Sequence, residues 1–354
     1  MLFLSSTEKK QWVGWFNEIR ANNLAPGQSP YAARNNLRPA FDFYCGTMLA
    51  ADGNTAAGRA WMTAGAMIED DGLFLNTFLA GFLERRAGRL AMPEQVFADP
   101  RPYVHFTTVP IMRESRLKFM EQCAHSLSER KKPLRMLDIG CGDGGLTARL
   151  LQHLRDAGRV GDIGEILLVD PSAGMLELAR RTVEGALPGV KINVMRGRIE
   201  EIAGRLEGMF DLAVCSLSYH HMTYEQKIAH LRELKPHLDN LILFELDANN
   251  DLPELHTPEL ALSIYQSYAR LTDFVFSHDA PVEVAQDCVD RFLMTEVVSL
   301  LTQARGLRND YHMLRRQWLE LFEQELRPEF ECRCDSSCYD DEYFALFTIH
   351  YARV

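Results

Sequence analysis

No apolar run in this 354-residue sequence approaches the roughly 20 residues that a membrane-spanning helix needs, so no membrane role is expected. The opening Met1-Leu2-Phe3-Leu4-Ser5-Ser6 has no basic n-region and too few apolar residues for a secretory signal, and a cytoplasmic location is expected. Basic residues are in deficit: 38 Lys and Arg against 49 Asp and Glu give a net charge of −11. That balance argues against a broad nucleic-acid-binding surface. Paired C-x-x-C motifs, internal repeats and low-complexity segments are all missing. Eight cysteines are scattered, and their one local cluster, Cys332-x-Cys334-x-x-x-Cys338, matches no zinc spacing. Thiolates so spaced could hold a soft ion. The favoured reading puts them on a C-terminal strand and its turn, where cysteine acts as a small hydrophobe.

What is present is ordinary globular material, 47% hydrophobic and 25% charged, in a length that suits two domains or one elaborated domain. Residues 1 to about 92 read as helical. Trp12, Trp15, Phe16 and Ile19 fall at helical spacing, as do Trp61, Ala64 and Ile68, then Phe74, Phe78 and Phe82. Asn54-Thr55 and Asp70-Asp71-Gly72 supply caps or turns. Pro93, Pro100, Pro102 and Pro110 then predict a linker or a loop, since no single helix could carry them. A helix over 113–128 follows and ends at Lys131-Lys132-Pro133. From 134 the pattern alternates, with strands at 134–139, 165–170, 191–195, 210–216 and 240–246 separated by helices at about 145–157, 173–187, 198–206 and 223–237. Such alternation predicts a parallel sheet covered on both faces. Residues 252–327 carry three long helical patterns, one with Leu314, Trp318, Leu321 and Phe322 on one face. Strands near 329–336 and 343–352 look like a closing hairpin.

The most informative run is Leu137-Asp138-Ile139-Gly140-Cys141-Gly142-Asp143-Gly144-Gly145, set between a buried strand and an amphipathic helix. A glycine-rich turn of this kind brings backbone close to a ligand and aims free helix N–H groups at it. Gly140-x-Gly142-x-x-Gly145 also fits the nicotinamide-dinucleotide fingerprint, which expects an acid about 20 residues on. Here the acid closing the next strand, Asp170, comes later. The extra acid Asp138 would face a bound diphosphate unfavourably, whereas it suits the cationic end of a sulfonium cofactor.

With Val169-Asp170-Pro171-Ser172-Ala173-Gly174-Met175-Leu176 as a second motif in the expected order, the chain resembles the class I S-adenosylmethionine (SAM)-dependent methyltransferases over about 112–250 and its last 25 residues. The resemblance implies a Rossmann-like, seven-stranded, mostly parallel α/β sheet with helices on both faces. To this the sequence adds an N-terminal all-helical domain and a helical insertion before the last two strands. It further implies SAM as cofactor, held by Asp138, Gly140, Cys141, Gly142, Gly144, Asp170, Pro171 and Met175. Asp170 would accept from both ribose hydroxyls, since Ser172 can cap the next helix unaided.

The third motif departs from the family: Met195-Arg196-Gly197-Arg198-Ile199-Glu200 puts Arg198, which has no acceptor atom, where an Asp usually holds the adenine amine. Gly197, Arg198 and Ile199 are still expected beside the adenine, with Glu200 or a backbone carbonyl taking the amine. The fourth strand runs through Ser216 and Leu217, which would line the cofactor, into Ser218-Tyr219-His220-His221-Met222. At this strand end His221, and then His220 and Tyr219, are the candidates for chemistry, since an imidazole titrates near neutrality; a structural role shaping the loop is the alternative. Glu245 and Asp247 should point to the pocket rim, where they could bind a substrate cation or metal, or else cap a turn. No metal is expected, for want of a second acidic cluster. His256, His278 and His312 read as surface or packing residues.

The expectation is a methyltransferase acting on a small molecule, the acceptor atom being open. A helical domain at 1–110 would shape the substrate site or a homodimer contact, and a methyltransferase domain at 111–354 would carry the 252–327 insertion as a lid. Two alternatives stay open: a protein or RNA acceptor, which the acidic charge and the absence of an Asn-Pro-Pro-Tyr-type motif disfavour, and a SAM-binding scaffold that does not methylate.

Overall fold

The computed structural model of the chain describes residues 1–28, 31, 33–93 and 99–354. Four helices open it: α1 (Ser6–Asn22), α2 (Arg38–Ala51), α3 (Thr55–Ala66) and α4 (Asn76–Arg85). Then come α5 (Arg101–Thr108), α6 (Pro110–Ser126), β1 (Leu134–Ile139), α7 (Gly145–Asp156), β2 (Ile163–Asp170), α8 (Ala173–Ala186), β3 (Lys191–Arg196), the short α9 (Ile199–Ile202), β4 (Leu212–Ser216), α10 (Tyr224–Leu234) and β5 (Asn240–Leu246). The chain continues through α11 (Pro258–Phe276), α12 (Val282–Cys288), a π-turn, α13 (Met294–Thr302) and α14 (Arg315–Leu326), and ends in β6 (Phe330–Asp340) and β7 (Ala345–Arg353). Among the described residues no helix is long and apolar enough to cross a membrane.

The seven strands form one sheet in the order β3-β2-β1-β4-β5-β7-β6. The first five are parallel, and β7 pairs antiparallel with both β5 and β6. The uninterrupted apolar run Ile166-Leu167-Leu168-Val169 in β2 is buried, as a parallel strand covered on both faces requires. The alternating strand–helix reading of 134–246 thus meets the structure element by element.

Packing divides the chain into two compact units, Met1–Val96 with Ala248–Tyr311 and Asp341–Phe344, and Phe97–Asp247 with His312–Asp340 and Ala345–Val354. In the first, α1 is started by a capping box between Ser5 and Glu8. It buries Trp12, Phe16 and Ile19, with Trp12 edge-on to Phe41 at 5.3 Å, and α11 adds Tyr265 against Phe43 at 5.5 Å. In the second, the core runs from Leu137 and Ile139 through Tyr219 and Leu243 to Trp318, Phe322 and Tyr351.

Several sequence expectations are corrected. The proline-rich stretch expected to be a linker or loop holds a helix: α5 carries Pro102 in its first turn, and Pro110 opens α6 three residues before Arg113. Proline is tolerated there because a first-turn N–H has no intrahelical partner to lose. Ile68 and Phe74 fall outside α3 and α4. The turn between them is fixed by Glu69, whose carboxylate accepts from the N–H groups of Leu75, Asn76 and Thr77 and so caps α4. The helical pattern over 252–327 is also divided, since α11 to α13 belong to the first unit and α14 to the second. Cys332 and Cys334 sit on β6 at a register shift, and all three C-terminal cysteines are free thiols, Cys332 exposed and Cys338 buried.

Candidate cofactor and active site

The carboxyl edge of β1, β2 and β4 gathers most of the residues singled out by the sequence. Gly140, Gly142 and Gly144 all have positive φ, so the turn from β1 to α7 takes a path closed to ordinary residues. Two of the glycines are also required by space. A Cβ on Gly140 would lie 2.3 Å from the Cβ of Ser218 in the loop after β4, and one on Gly144 would lie 2.8 Å from the backbone of Ala179 on α8. The turn is thus pressed between two elements, with its amides turned to the strand ends.

Asp170 closes β2 beside this turn. Its Oδ2 accepts from the Gly142 N–H at 3.2 Å and its Oδ1 from the Ser172 N–H at 2.8 Å. Ser172 itself caps α8, its Oγ accepting from the Met175 N–H. Burial raises the Asp170 carboxyl above its ordinary range, and the two amides and the His221 imidazole pull it back. Asp138, buried at the end of β1, accepts from the Thr147 hydroxyl. Burial lifts its carboxyl to about 7, with the neighbouring acids Asp170 and Asp143 adding to the lift. Cys141 is buried and its thiol is pushed well up.

Beyond β3 the expected adenine contacts separate. Gly197 donates to the Asp170 carbonyl, whereas Pro171 is exposed and accepts from Arg196 Nε through its carbonyl. Arg198 stands at the start of the short α9, its N–H donating to Glu201 Oε2, and pairs across 3.9 Å with Glu200, while Ile199 is buried in the core cluster and Met175 is buried in α8.

After β4 the backbone is strained: Leu217, next to Ser216, has φ of 50° and donates to the Phe244 carbonyl. Glu245, at the end of β5 and fully buried, organises the loop. Its Oε1 accepts from the N–H groups of Ser218, Tyr219 and His220 at 3.1, 3.0 and 3.3 Å, and His220 Nδ1 lies 2.9 Å from its Oε2. So Glu245 is a loop anchor and not a rim residue. Tyr219 is also corrected. It is fully buried, its hydroxyl is bonded to His230 and its ring packs on Trp318, so it is a core residue. His221 is exposed, its ring 4.3 Å from that of His220 and tilted at 57° to it, and within electrostatic reach of both Asp170 and Glu245.

Sequence reasoning missed two contributors. Tyr103 of α5 holds its hydroxyl 2.7 Å from where a Gly142 Cβ would stand and hydrogen-bonds Arg116 of α6. His312 stacks on His220 at 4.0 Å. Neither lies in a motif; the fold brings both from far along the chain.

The strand order reverses between β1 and β4, and the positive-φ glycine turn and Asp170 lie at that crevice, where open α/β sheets bind their ligands. Residues 136–240 match the family described as a methyltransferase domain. No curated protein sequence matches the chain. Among solved structures, SCL7 of Oryza sativa is similar in fold, at 14% identity and a TM-score of 0.56, covering 86% of this chain and 99% of that one. Magnesium protoporphyrin IX methyltransferase (ChlM) from Synechocystis PCC 6803 with bound SAH is 14% identical over 69% of this chain and 85% of its own, with a TM-score of 0.40. Mycolic acid cyclopropane synthase CmaA1 complexed with SAH and CTAB is 10% identical over 68% and 85%, with a TM-score of 0.43.

Proposed function

We propose that the chain binds SAM along the carboxyl edge of β1, β2 and β4 and transfers its methyl group to a small-molecule acceptor. The observation that carries this reading is the pairing of Asp170 with the positive-φ glycine turn, a carboxylate beside backbone bare of side chains, set where a ribose and an amino-acid tail would lie. When bound, SAM supplies an already activated methyl group, so the protein's task is placement and exclusion of water. Asp170 would take the ribose hydroxyls, and Gly140, Cys141, Gly142 and Gly144 would cradle the methionine portion. Gly197 and the backbone of Arg198 would edge the adenine, with Ser216 and Leu217 beneath the sulfonium. The helical segments outside the sheet, in the ranges 1–110 and 252–327, would set acceptor specificity or a homodimer contact, in a cytoplasmic protein.

Asp138 gives the reading a pH signature. Burial raises its carboxyl to about 7, so ionising it in the folded chain costs stability as pH rises from about 4 through 7. A cation bound beside it favours the ionised form. SAM affinity is therefore expected to rise with pH through about 7, and Asp138→Asn to flatten that rise; calorimetric titrations at about pH 6, 7 and 8 read it, and equal slopes in both proteins would refute the assignment.

His221 is the exposed base candidate, and His220, fixed by Glu245, positions the loop. Titration with SAM and its demethylated product beside NADH tests the cofactor, and NADH binding alone would overturn it. Once a hydroxyl, thiol or amine acceptor is found by product release, His221→Ala should lower turnover by about 10²–10⁴-fold with SAM affinity kept. Unchanged turnover at neutral pH would remove His221 from the chemistry.

A further inference from the structure

We infer that His220, Glu245 and His312 form a binding site for a divalent transition-metal ion of the zinc or ferrous class. One ligand atom from each lies within 4.8 Å of the other two. His220 Nδ1 stands 2.9 Å, and His312 Nδ1 3.8 Å, from Glu245 Oε2. Three donors about 2.1 Å from a tetrahedral ion are about 3.4 Å from one another, a spacing these two distances bracket. The three residues are 4%, 0% and 3% exposed, so the donors are largely withdrawn from bulk water.

The observation that calls for a ligand is His312. Both of its ring nitrogens are buried without a hydrogen-bond partner, and 3.8 Å is too long for one to Glu245. A buried, unsatisfied imidazole is costly, and coordination would relieve it. Glu245 is prepared for the same role. Its Oε1 is held by three backbone N–H groups, which fixes the carboxylate and leaves Oε2 facing the two imidazoles. Such outer hydrogen bonds orient a metal ligand. Binding would replace the His220–Glu245 hydrogen bond by two bonds to the ion.

Two imidazoles and one carboxylate suit zinc, iron or cobalt better than magnesium or calcium, and three protein ligands leave a further position for water or an acceptor oxygen. The buried Lys227 ammonium opposes the ion, being within electrostatic reach of Glu245 and His312 and 4.9 Å from the Trp318 ring centre. That the ion would orient or ionise a methyl acceptor rests on the proposed methyl transfer; that it binds does not.

The test uses the full chain, stripped with chelator and titrated with Co²⁺, followed by the visible d–d absorption of the bound ion. The expected result is one equivalent bound, with His312→Ala and Glu245→Gln each weakening it by more than the roughly 10–100-fold that loss of an outer hydrogen bond costs. Lys227→Met should tighten it. His312→Gln serves as a second probe where Glu245→Gln fails to fold. Titration with SAM on the same stripped samples reports the cofactor site separately, so failure of the metal site and failure of the methyltransferase reading are told apart. Absence of Co²⁺ bands, or bands unaltered by both His312 variants, would overturn the proposal.

Discussion

Asp170→Ala is expected to weaken SAM binding by about 100- to 1000-fold in calorimetric titration while leaving the fold intact. Two hydrogen bonds from ribose hydroxyls to a carboxylate are worth about 1.5–3 kcal/mol each, and about 1.4 kcal/mol is a factor of ten in affinity. The low end of that range applies because Asp170 already accepts from the Gly142 and Ser172 amides, which compete with the ligand for its oxygens. Asp170→Asn, which keeps one acceptor and loses the charge, should fall between the two proteins. α8 should persist in both variants, since Ser172 caps it with its own hydroxyl. An Asp170→Ala protein that binds SAM within about threefold of the parent would show that the carboxylate serves only the backbone.

Gly144→Val should destabilise the fold by about 2–5 kcal/mol, measured by urea denaturation. Left-handed backbone costs a residue with a Cβ roughly 1–2 kcal/mol, and overpacking a tight contact adds about 1–3 kcal/mol. Both apply, because Gly144 has φ of 72° and its Cβ would meet the backbone of Ala179, which cannot rotate aside. Gly158 separates the two effects: its φ is 68° with nothing within 4 Å of a Cβ, so Gly158→Ala should cost only the backbone share. A loss of about 2–5 kcal/mol is a large fraction of the roughly 5–15 kcal/mol that holds a domain together. Equal losses at the two positions would mean that α8 yields to the added side chain.

What could be read from the sequence is what depends on neighbours in the chain. The buried β1 and β2, the glycine turn and Asp170 are each written in a short run of residues whose chemistry is local, and they lie where the spacing placed them. Prolines 102 and 110 misled because proline breaks a helix interior but not a first turn, and which of these applies is decided by the helix start. Ile68 and Phe74 continued a helical period in the letters, yet the Glu69 cap ends that period in space. Tyr219 shares its segment with His221 but turns into the core, because the short helical turn after β4 sends successive side chains in different directions. His312 was invisible as a partner of His220, since only the return of the chain between the two units brings them into contact.

The first compact unit is assembled from stretches that leave the ribosome at very different times. Met1–Val96 emerges first, but α11, which supplies Tyr265 against Phe43 and Gln266 to the backbone of Leu2, belongs to a stretch that begins only at Ala248. At about 5–20 residues per second, the intervening 150 or so residues take roughly 10–30 s to synthesise. Through that interval the early helices can pack on one another, but the faces that meet α11 have no partner. A recombinant fragment of Met1–Val96 alone is expected to leave exposed the surface that α11 covers in the full chain.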